Sequence, residues 1–308
     1  MKKQSQQHTK TPVDKKSSSE SDSKSSKSKS SSVNNEVSRK PHKTLSGKDR
    51  KRMAIGVFVL LLWTGVSIVI SQLIVGWIML LITGDEIFMQ PVTQAVYSAL
   101  SYVLAFIMIA WAPAKIKIKW KEWGEGSSSK KHHEKHPVLS RKVLGIHGLP
   151  TWTDIGLAPI GFIVSSFIAA IFLSVLSAFP WFDVSQNQSL LFDLGVSGGD
   201  KIVAFITLVV VAPIAEELIF RGWLYGNLRM KSSKIMTDNA SMIVSSILTS
   251  VLFGVVHFQW NVGVTVFVLS IVLCAMREIT GTTYAGILTH MLKNGVAFYY
   301  LFVLHSIA

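Results

Sequence analysis

Ionisable side chains interrupt an otherwise apolar stretch of the chain. The segment KIVAFITLVVVAPIAEELIFRGWLYGNL carries two adjacent glutamates, Glu216 and Glu217, followed by Arg221. On a helix, Glu217 and Arg221 are four residues apart and share a face, where they can form an ion pair. Glu216 is turned about 100° away from its neighbour, so its carboxylate is free to face another helix. Because charged groups inside a bilayer are costly, these residues are candidates for function.

Two further apolar segments carry a histidine. In SMIVSSILTSVLFGVVHF, Phe253 and His257 are four residues apart and share a helix face. In TYAGILTHMLKNGVAFYYLF, His290 and Asn294 have the same spacing and present an imidazole and an amide together. Each pair taken alone is also explained by packing between helices. The hypothesis of a site therefore depends on the three polar segments together.

The combined segments contain the groups of a hydrolytic site. A carboxylate and an imidazole can hold and deprotonate a water molecule. A second imidazole and an amide can donate to the oxyanion that forms when this water attacks a peptide carbonyl. Equally, Glu216, His257 and His290 would make a two-histidine, one-carboxylate zinc site with an open position for water. The residues leave both mechanisms open, although the lack of an HExxH motif excludes the zinc-binding helix of soluble metalloproteases.

The order EExxxR, FxxxH and HxxxN on separate membrane segments resembles the CPBP family of intramembrane proteases. This family contains the CAAX prenyl endopeptidases and bacteriocin-processing proteins, and is also called the Abi family. The resemblance covers about residues 200–305 and implies an all-helical membrane fold with the active site between helices. The matching residues are Glu216, Glu217, Arg221, Phe253, His257, His290 and Asn294.

The resemblance also implies a role for each matching residue. Glu216 and His257 would activate the water. His290 and Asn294 would form the oxyanion hole, and Glu217, Arg221 and Phe253 would support the site. The family has been described both as metalloprotease and as glutamate-dependent without metal. The cofactor is therefore zinc or none, and the metal-free mechanism is slightly favoured.

The function implied by the resemblance is that of an intramembrane endopeptidase acting on a small or lipid-anchored peptide. Bacterial members process small peptides or confer self-immunity to bacteriocins, and eukaryotic relatives cut prenylated CAAX tails. Two alternatives stay open. One is a non-catalytic immunity or scaffold protein, whose polar cluster only binds a peptide or a partner helix. The other is a small proton-coupled transporter that uses Glu216 and the histidines as a proton relay.

Seven apolar segments supply the helices that must position these groups. A membrane span needs roughly 20 residues. With 49% hydrophobic and only 16% charged residues, the chain also carries fewer charges than the roughly one quarter usual in soluble domains. The sequence predicts an all-α, polytopic membrane bundle of about seven transmembrane helices with a disordered N-terminal tail. The segments are 53–82, 91–112, 155–179, 201–221, 241–258, 262–277 and 284–304.

The positive charge is concentrated before the first apolar segment. Residues 1–52 contain 15 Lys/Arg against 5 Asp/Glu, so +10 of the net +13 lies there. The basic loops 113–154 and 222–240 alternate with acidic or neutral ones, which predicts a multi-pass cell-membrane protein with a cytoplasmic N-terminus and an extracellular C-terminus. Anionic lipid is the expected partner of the basic tail, and nucleic acid is not expected.

These features divide the chain into three regions. Residues 1–50 form a disordered, basic, Ser/Lys-rich cytoplasmic tail, because such a composition buries too little apolar surface to fold. Residues 51–154 form two membrane helices and a basic loop, and residues 155–308 form the remaining helices with the catalytic core at about 200–305. Counting residues from the ends of each predicted span places His290 in the cytoplasmic third of the membrane and His257 near the outer end of its helix. A shared catalytic site nevertheless requires the two side chains to lie close together.

One further charge lies within the last span. Lys293 stands directly before Asn294. Long basic side chains in a bilayer extend toward the head groups. We therefore expect Lys293 to reach toward the cytoplasmic surface.

Overall fold

The computed structural model describes residues 46–124, 140–183 and 198–304. Every regular element in these ranges is a helix, and seven of the helices are long and apolar enough to cross a membrane. The predicted all-α bundle with seven spans is thereby confirmed. A short helix, α3 (Arg141–Leu144), lies between the second and third of them. The seven are α1 (Gly47–Phe88), α2 (Pro91–Gly124), α4 (Trp152–Leu176), α5 (Gly198–Ser232), α6 (Asp238–Val255), α7 (Trp260–Thr280) and α8 (Tyr284–Leu304).

The first two helices differ from their predicted bounds. Residues 1–45 of the predicted tail lie outside the described residues, and α1 begins at Gly47 behind the N-cap Ser46. At Gly84, α1 is kinked by a φ of 71°, which a glycine adopts without a steric penalty. The second helix continues to Gly124, beyond the predicted end of its span at residue 112.

The outward faces of the helices are apolar. Phe58, Leu81 and Phe167 are each more than 60% exposed. A surface with so many large apolar side chains needs an apolar solvent, and lipid tails supply one. The helices themselves satisfy their backbone hydrogen bonds internally, as a membrane requires.

The largest core cluster is centred on α5. Trp223 and Leu224 are completely buried there. They belong to a cluster that also contains Ile109 from α2 and Phe253 from α6. This helix is irregular, since residues Ile206–Val211 and Leu218–Tyr225 form π-helical turns on either side of the α-helical turn Ala212–Glu217. Such turns are frequent at functional sites, because they change the direction in which side chains point.

The short helix α3 packs closely against α5. Added Cβ atoms on Gly222 and Gly226 would lie 3.0 and 2.9 Å from the carbonyl oxygens of Leu144 and Val143. From the end of α7, Arg277 donates to the carbonyls of Lys142 and Val143 at 3.3 and 3.2 Å. The segment after α2 is therefore held against the same end of the bundle as the ends of α5 and α7.

A hydrogen-bonded cap ties α4 to the start of α8. Thr151 and Asp154 form a capping box at the N-terminus of α4. The other carboxylate oxygen of Asp154 accepts from Thr282 Oγ1 at 2.8 Å, directly before α8. This contact fixes the position of the start of α8 relative to α4, and with it the position of the side chains on α8.

Candidate active site

Glu216 and Glu217 occupy the last two positions of the α-helical turn between the two π-helical segments of α5. Their side chains have different environments. That of Glu217 is completely buried, whereas that of Glu216 is 18% exposed. Adjacent residues on a helix point in directions about 100° apart, so one carboxylate enters the protein core and the other faces a cavity.

Glu217 is the centre of a buried group of charges. Its Oε1 accepts from Arg221 Nη1 at 2.7 Å and from His290 Nδ1 at 3.0 Å. The guanidinium carbon of Arg221 lies 4.4 Å from the centroid of the Phe253 ring, a cation–π distance. The carboxylate therefore connects α5 to α8 and orients the His290 ring.

A glycine allows this close approach. Gly286 on α8 faces the carboxylate of Glu217, and an added Cβ there would lie 3.1 Å from Oε2. The other glycine of the same helix, Gly295, is less tightly packed, since an added Cβ would lie 3.6 Å from Val209. Only the first of the two glycines is thus needed for the contact between the helices.

Glu216 is held by a residue from a distant part of the sequence. Tyr102 on α2 donates its hydroxyl to Glu216 Oε1 at 2.6 Å. The second oxygen, Oε2, lies 3.8 Å from His290 Nε2. The two nitrogens of His290 thus face two different carboxylates.

His257 lies just outside the helix that was predicted to carry it. Helix α6 ends at Val255, and His257 stands in the turn before α7. Its Nδ1 is 2.7 Å from the carbonyl oxygen of Phe253. Because a carbonyl can only accept, Nδ1 carries the proton, and Nε2 of the neutral ring is an acceptor. The predicted span 241–258 therefore ends too late. His257 and His290 nevertheless line one cavity.

Asn294 lies one turn after His290 on α8. Its Nδ2 donates to the carbonyl oxygen of Leu208, in the first π-helical segment of α5, at 2.9 Å. A side-chain amide has two N–H donors, so one of them remains for another acceptor. The bond also fixes the plane of the amide.

A cavity of about 540 Å³ brings these residues together. It is lined by Glu216, His257, His290 and Asn294, whereas the completely buried Glu217 lies behind it. The lining residues from α1 and α2 are rich in hydroxyls, and those from α7 and α8 include several large apolar side chains. The hydroxyl-bearing residues are Ser71, Tyr97, Ser98, Ser101 and Tyr102, and the apolar ones include Val262, Val266, Phe298, Leu301 and Phe302.

Lys293 also lines this cavity, beside Glu216. It is partly buried and interacts electrostatically with the Glu216 carboxylate. The expectation that it reaches away toward the head groups is therefore wrong. On α8, residues three or four apart share a face, so Lys293 belongs to the same face as His290 and turns into the cavity with it.

A sequence comparison identifies the segment that carries the site. Residues 198–296, about a third of the chain, match the family described as type II CAAX prenyl endopeptidase Rce1-like. This segment is a CAAX protease domain. It contains the motifs of α5, α6 and α8 that carry the seven residues predicted from the sequence. No curated protein and no solved structure matches the chain significantly.

Two coarse conclusions follow from the CAAX protease domain and the seven apolar helices. Residues 198–296 match a family of intramembrane proteases. The protein is also a multi-pass membrane protein, since the domain itself contributes four of the seven candidate spans.

The fit of a zinc ion to the CAAX protease domain can be tested on the donor atoms. Glu216, His257 and His290 are of the right chemical types for zinc. Within the described ranges, however, no three His, Cys, Asp or Glu side chains converge on a point where they could hold a metal ion. His290 Nε2 faces Glu216 across 3.8 Å, and its other nitrogen is bonded to Glu217. These two contacts alone would suit a zinc-binding histidine, whose other nitrogen commonly bonds a carboxylate. The three-ligand zinc site is not formed because no third ligand among the described residues converges with this pair.

Sequence reasoning missed Tyr102 and assigned Lys293 to a different position. Tyr102 lies in the first third of the chain, in a helix outside the CAAX protease domain, and no local pattern distinguishes it from other interfacial tyrosines. For Lys293, the sequence analysis predicted a side chain that reaches toward the head groups, whereas the side chain lines the cavity. Its spacing of three residues from His290 was the available signal.

Proposed function

We propose that this protein is a metal-free, glutamate-dependent intramembrane endopeptidase that cleaves a small or lipid-anchored peptide. The observation that carries the proposal is the position of the Glu216 carboxylate. It lines a cavity together with His257, His290 and Asn294, inside a segment that matches a protease family. The apolar side chains that line the cavity suit a hydrophobic or lipidated peptide.

The proposed first step is activation of a water molecule by Glu216 and His257. The water donates one hydrogen to the Glu216 carboxylate and the other to His257 Nε2. With both hydrogens engaged, a lone pair of the oxygen is directed at the peptide carbonyl. Tyr102 keeps Glu216 in position through its bond of 2.6 Å, and the Phe253 carbonyl fixes the tautomer of His257.

The attack moves negative charge to the carbonyl oxygen. As the water oxygen bonds to the carbonyl carbon, the C=O π electrons become an oxyanion and the water proton passes to Glu216. His290 Nε2–H and the free N–H of Asn294 donate to this oxyanion. This donation requires a hydrogen on Nε2 in addition to the one on Nδ1, which is bonded to Glu217. Glu216 then returns its proton to the leaving amine as the C–N bond breaks.

The surrounding regions have supporting roles in this proposal. Residues 51–154 contribute Tyr102 to the site, and residues 155–308 contain the catalytic core. The basic tail, residues 1–50, lies in the cytoplasm and binds anionic lipid. With seven spans, the C-terminus then lies outside the cell.

The test is cleavage of a panel of prenylated CAAX peptides and short leader-type peptides by the detergent-purified protein. We expect Glu216→Gln to reduce the rate by about 1,000-fold, in the range for loss of a general base. The isosteric glutamine retains the contact with Tyr102, so thermal stability should not change. Glu278→Gln, which alters a glutamate outside the cavity, is the matched control and should cleave like the parent.

A chelator and added zinc distinguish the two mechanisms. A metal-free enzyme retains its rate in strong chelators, whereas inhibition that zinc reverses would contradict this part of the proposal. Cleavage by Glu216→Gln at the parental rate would show that Glu216 is not the base. Peptide binding without cleavage by the folded parent would instead support the binding-only immunity or scaffold function.

A further inference from the structure

Among the described residues that line the cavity, Lys293 is the only lysine or arginine, and Glu216 is the only aspartate or glutamate. Lys293 interacts electrostatically with both Glu216 and His257. A charged lysine in the centre of a membrane helix is costly. A cation in this position therefore needs a compensating negative charge.

The described residues give Lys293 little direct compensation. No described carboxylate lies within 4.0 Å of its ammonium group, and no described residue hydrogen-bonds to it. The nearest acid, Glu216, is already bonded to Tyr102 and faces His290. Three hydrogens of the ammonium group are thus available to an acceptor inside the cavity.

Negative charge moves within this cavity during the proposed reaction. Before the attack, it resides on Glu216. After the attack, Glu216 is a neutral acid and the charge resides on the carbonyl oxygen of the substrate. The net charge of the cavity is unchanged, so a fixed cation that attracts Glu216 in the resting state can attract the oxyanion after the attack.

We propose that Lys293 is a further catalytic residue, whose ammonium group stabilises the oxyanion together with His290 and Asn294. This inference rests on the proposed function. Lys293 lies three residues after His290 on α8 and therefore shares its helix face, and Lys293, His290 and Asn294 all line the cavity. A preorganised charge in a site that excludes water is effective, because it needs no reorganisation when the oxyanion forms.

The kinetic test compares Lys293→Met, Lys293→Arg and Lys201→Met with the parent on one cleaved peptide. We expect Lys293→Met to lower kcat by about 100-fold with little change in KM, as for loss of an oxyanion donor. Lys293→Arg should recover most of the rate, because it retains the charge. Lys201→Met makes the same change at a partly buried lysine outside the cavity, and should leave kcat unchanged.

A binding measurement tests the same inference without turnover. A peptide with a phosphinate at the scissile position carries a tetrahedral anion, and its hydroxyethylene analogue is tetrahedral but neutral. Lys293→Met should weaken binding of the phosphinate by about 100-fold, matching the loss in kcat. It should leave binding of the neutral analogue unchanged. Equal weakening of both peptides would overturn the inference.

C-terminally amidated peptides separate an oxyanion donor from a group that binds the carboxylate of the substrate. The loss in kcat should be the same for amidated and free-acid peptides. A defect confined to KM, or to the free-acid peptides, would overturn the assignment to the oxyanion, as would a parental rate in Lys293→Met. If Glu216→Gln is fully active, the proposed function itself fails, and this outcome does not depend on the lysine variants.

Discussion

Two clusters along α5 are built from the same residue types but differ in their surroundings. In the middle of the helix, Arg221 binds Glu217, and Tyr102 binds the neighbouring Glu216. Near its C-terminal end, Arg229 and Tyr225 both bind Glu278 of α7, at 2.8 and 2.7 Å. We call these the central cluster and the terminal cluster.

The terminal cluster is satisfied within itself. Arg229 uses Nε and Nη2 on the two oxygens of Glu278, and Nη1 on Asp238 and Ser241. The side chains of Arg229 and Glu278 are 17% and 26% exposed, so solvent also screens the pair. Such a network joins the ends of α5, α6 and α7.

The central cluster is more deeply buried and opens on one side. Arg221 and Glu217 are 1% and 0% exposed, whereas Glu216 and His290 face the cavity. Burial makes each charge depend on its partner, because water cannot replace a partner that is lost. The comparison shows that the central cluster differs in combining fully buried charges, Arg221 and Glu217, with a neighbouring carboxylate, Glu216, that lines a large cavity.

The strongest test of this comparison replaces one glutamate in each cluster. Glu217→Gln leaves Arg221 buried without a compensating charge, so we expect a loss of about 3–5 kcal/mol in the free energy of unfolding. Cleavage should fall as well, since His290 loses its orienting carboxylate. Thermal unfolding in detergent and the rate per folded molecule measure the two effects.

Glu278→Gln is the counterpart in the terminal cluster. We expect a loss of only about 1 kcal/mol, because the pair is partly exposed and Arg229 keeps Asp238 as a partner. Equal losses of stability in the two variants would show that burial does not distinguish the clusters.

A second test changes the packing behind the central cluster. Gly286→Ala puts a Cβ 3.1 Å from Glu217 Oε2, and we expect this overpacking to cost about 1–3 kcal/mol and to lower kcat by displacing His290. Gly295→Ala on the same helix meets only an ordinary contact of 3.6 Å and is the control. The free energy of unfolding and kcat are measured for both variants. A Gly286→Ala variant with parental stability and kcat would contradict the tight contact.

The smallest expected effect comes from the two tyrosines. Tyr102→Phe removes the donor to Glu216 but leaves the ring, and we expect kcat to fall about 10-fold, the equivalent of one hydrogen bond to a charged group. Tyr225→Phe removes the equivalent bond to Glu278 and should leave kcat unchanged. Parental kcat in both variants would show that Tyr102 does not position the carboxylate.

Much of the fold could be predicted from the sequence, because the patterns that indicate membrane helices involve only neighbouring residues. Long apolar runs such as 284–304 predict membrane helices wherever they occur, and all seven predicted segments overlap helices. The pairing of Glu217 with Arg221 was also predictable, because a spacing of four residues brings side chains together on a helix. Boundaries were less accurate, as the end of α6 before His257 shows.

The sequence by itself determined that the chain is a helical membrane protein and which polar residues lie in its spans, because hydropathy and helical spacing depend only on neighbouring residues. Tertiary structure alone decided that Tyr102 holds Glu216, that Glu217 orients His290, and that Lys293 turns into the cavity. The first two contacts join residues 114 and 73 positions apart. The direction of Lys293 depends on how α8 is rotated against its neighbours. These outcomes are set by the packing of whole helices, and no local pattern in the sequence records them.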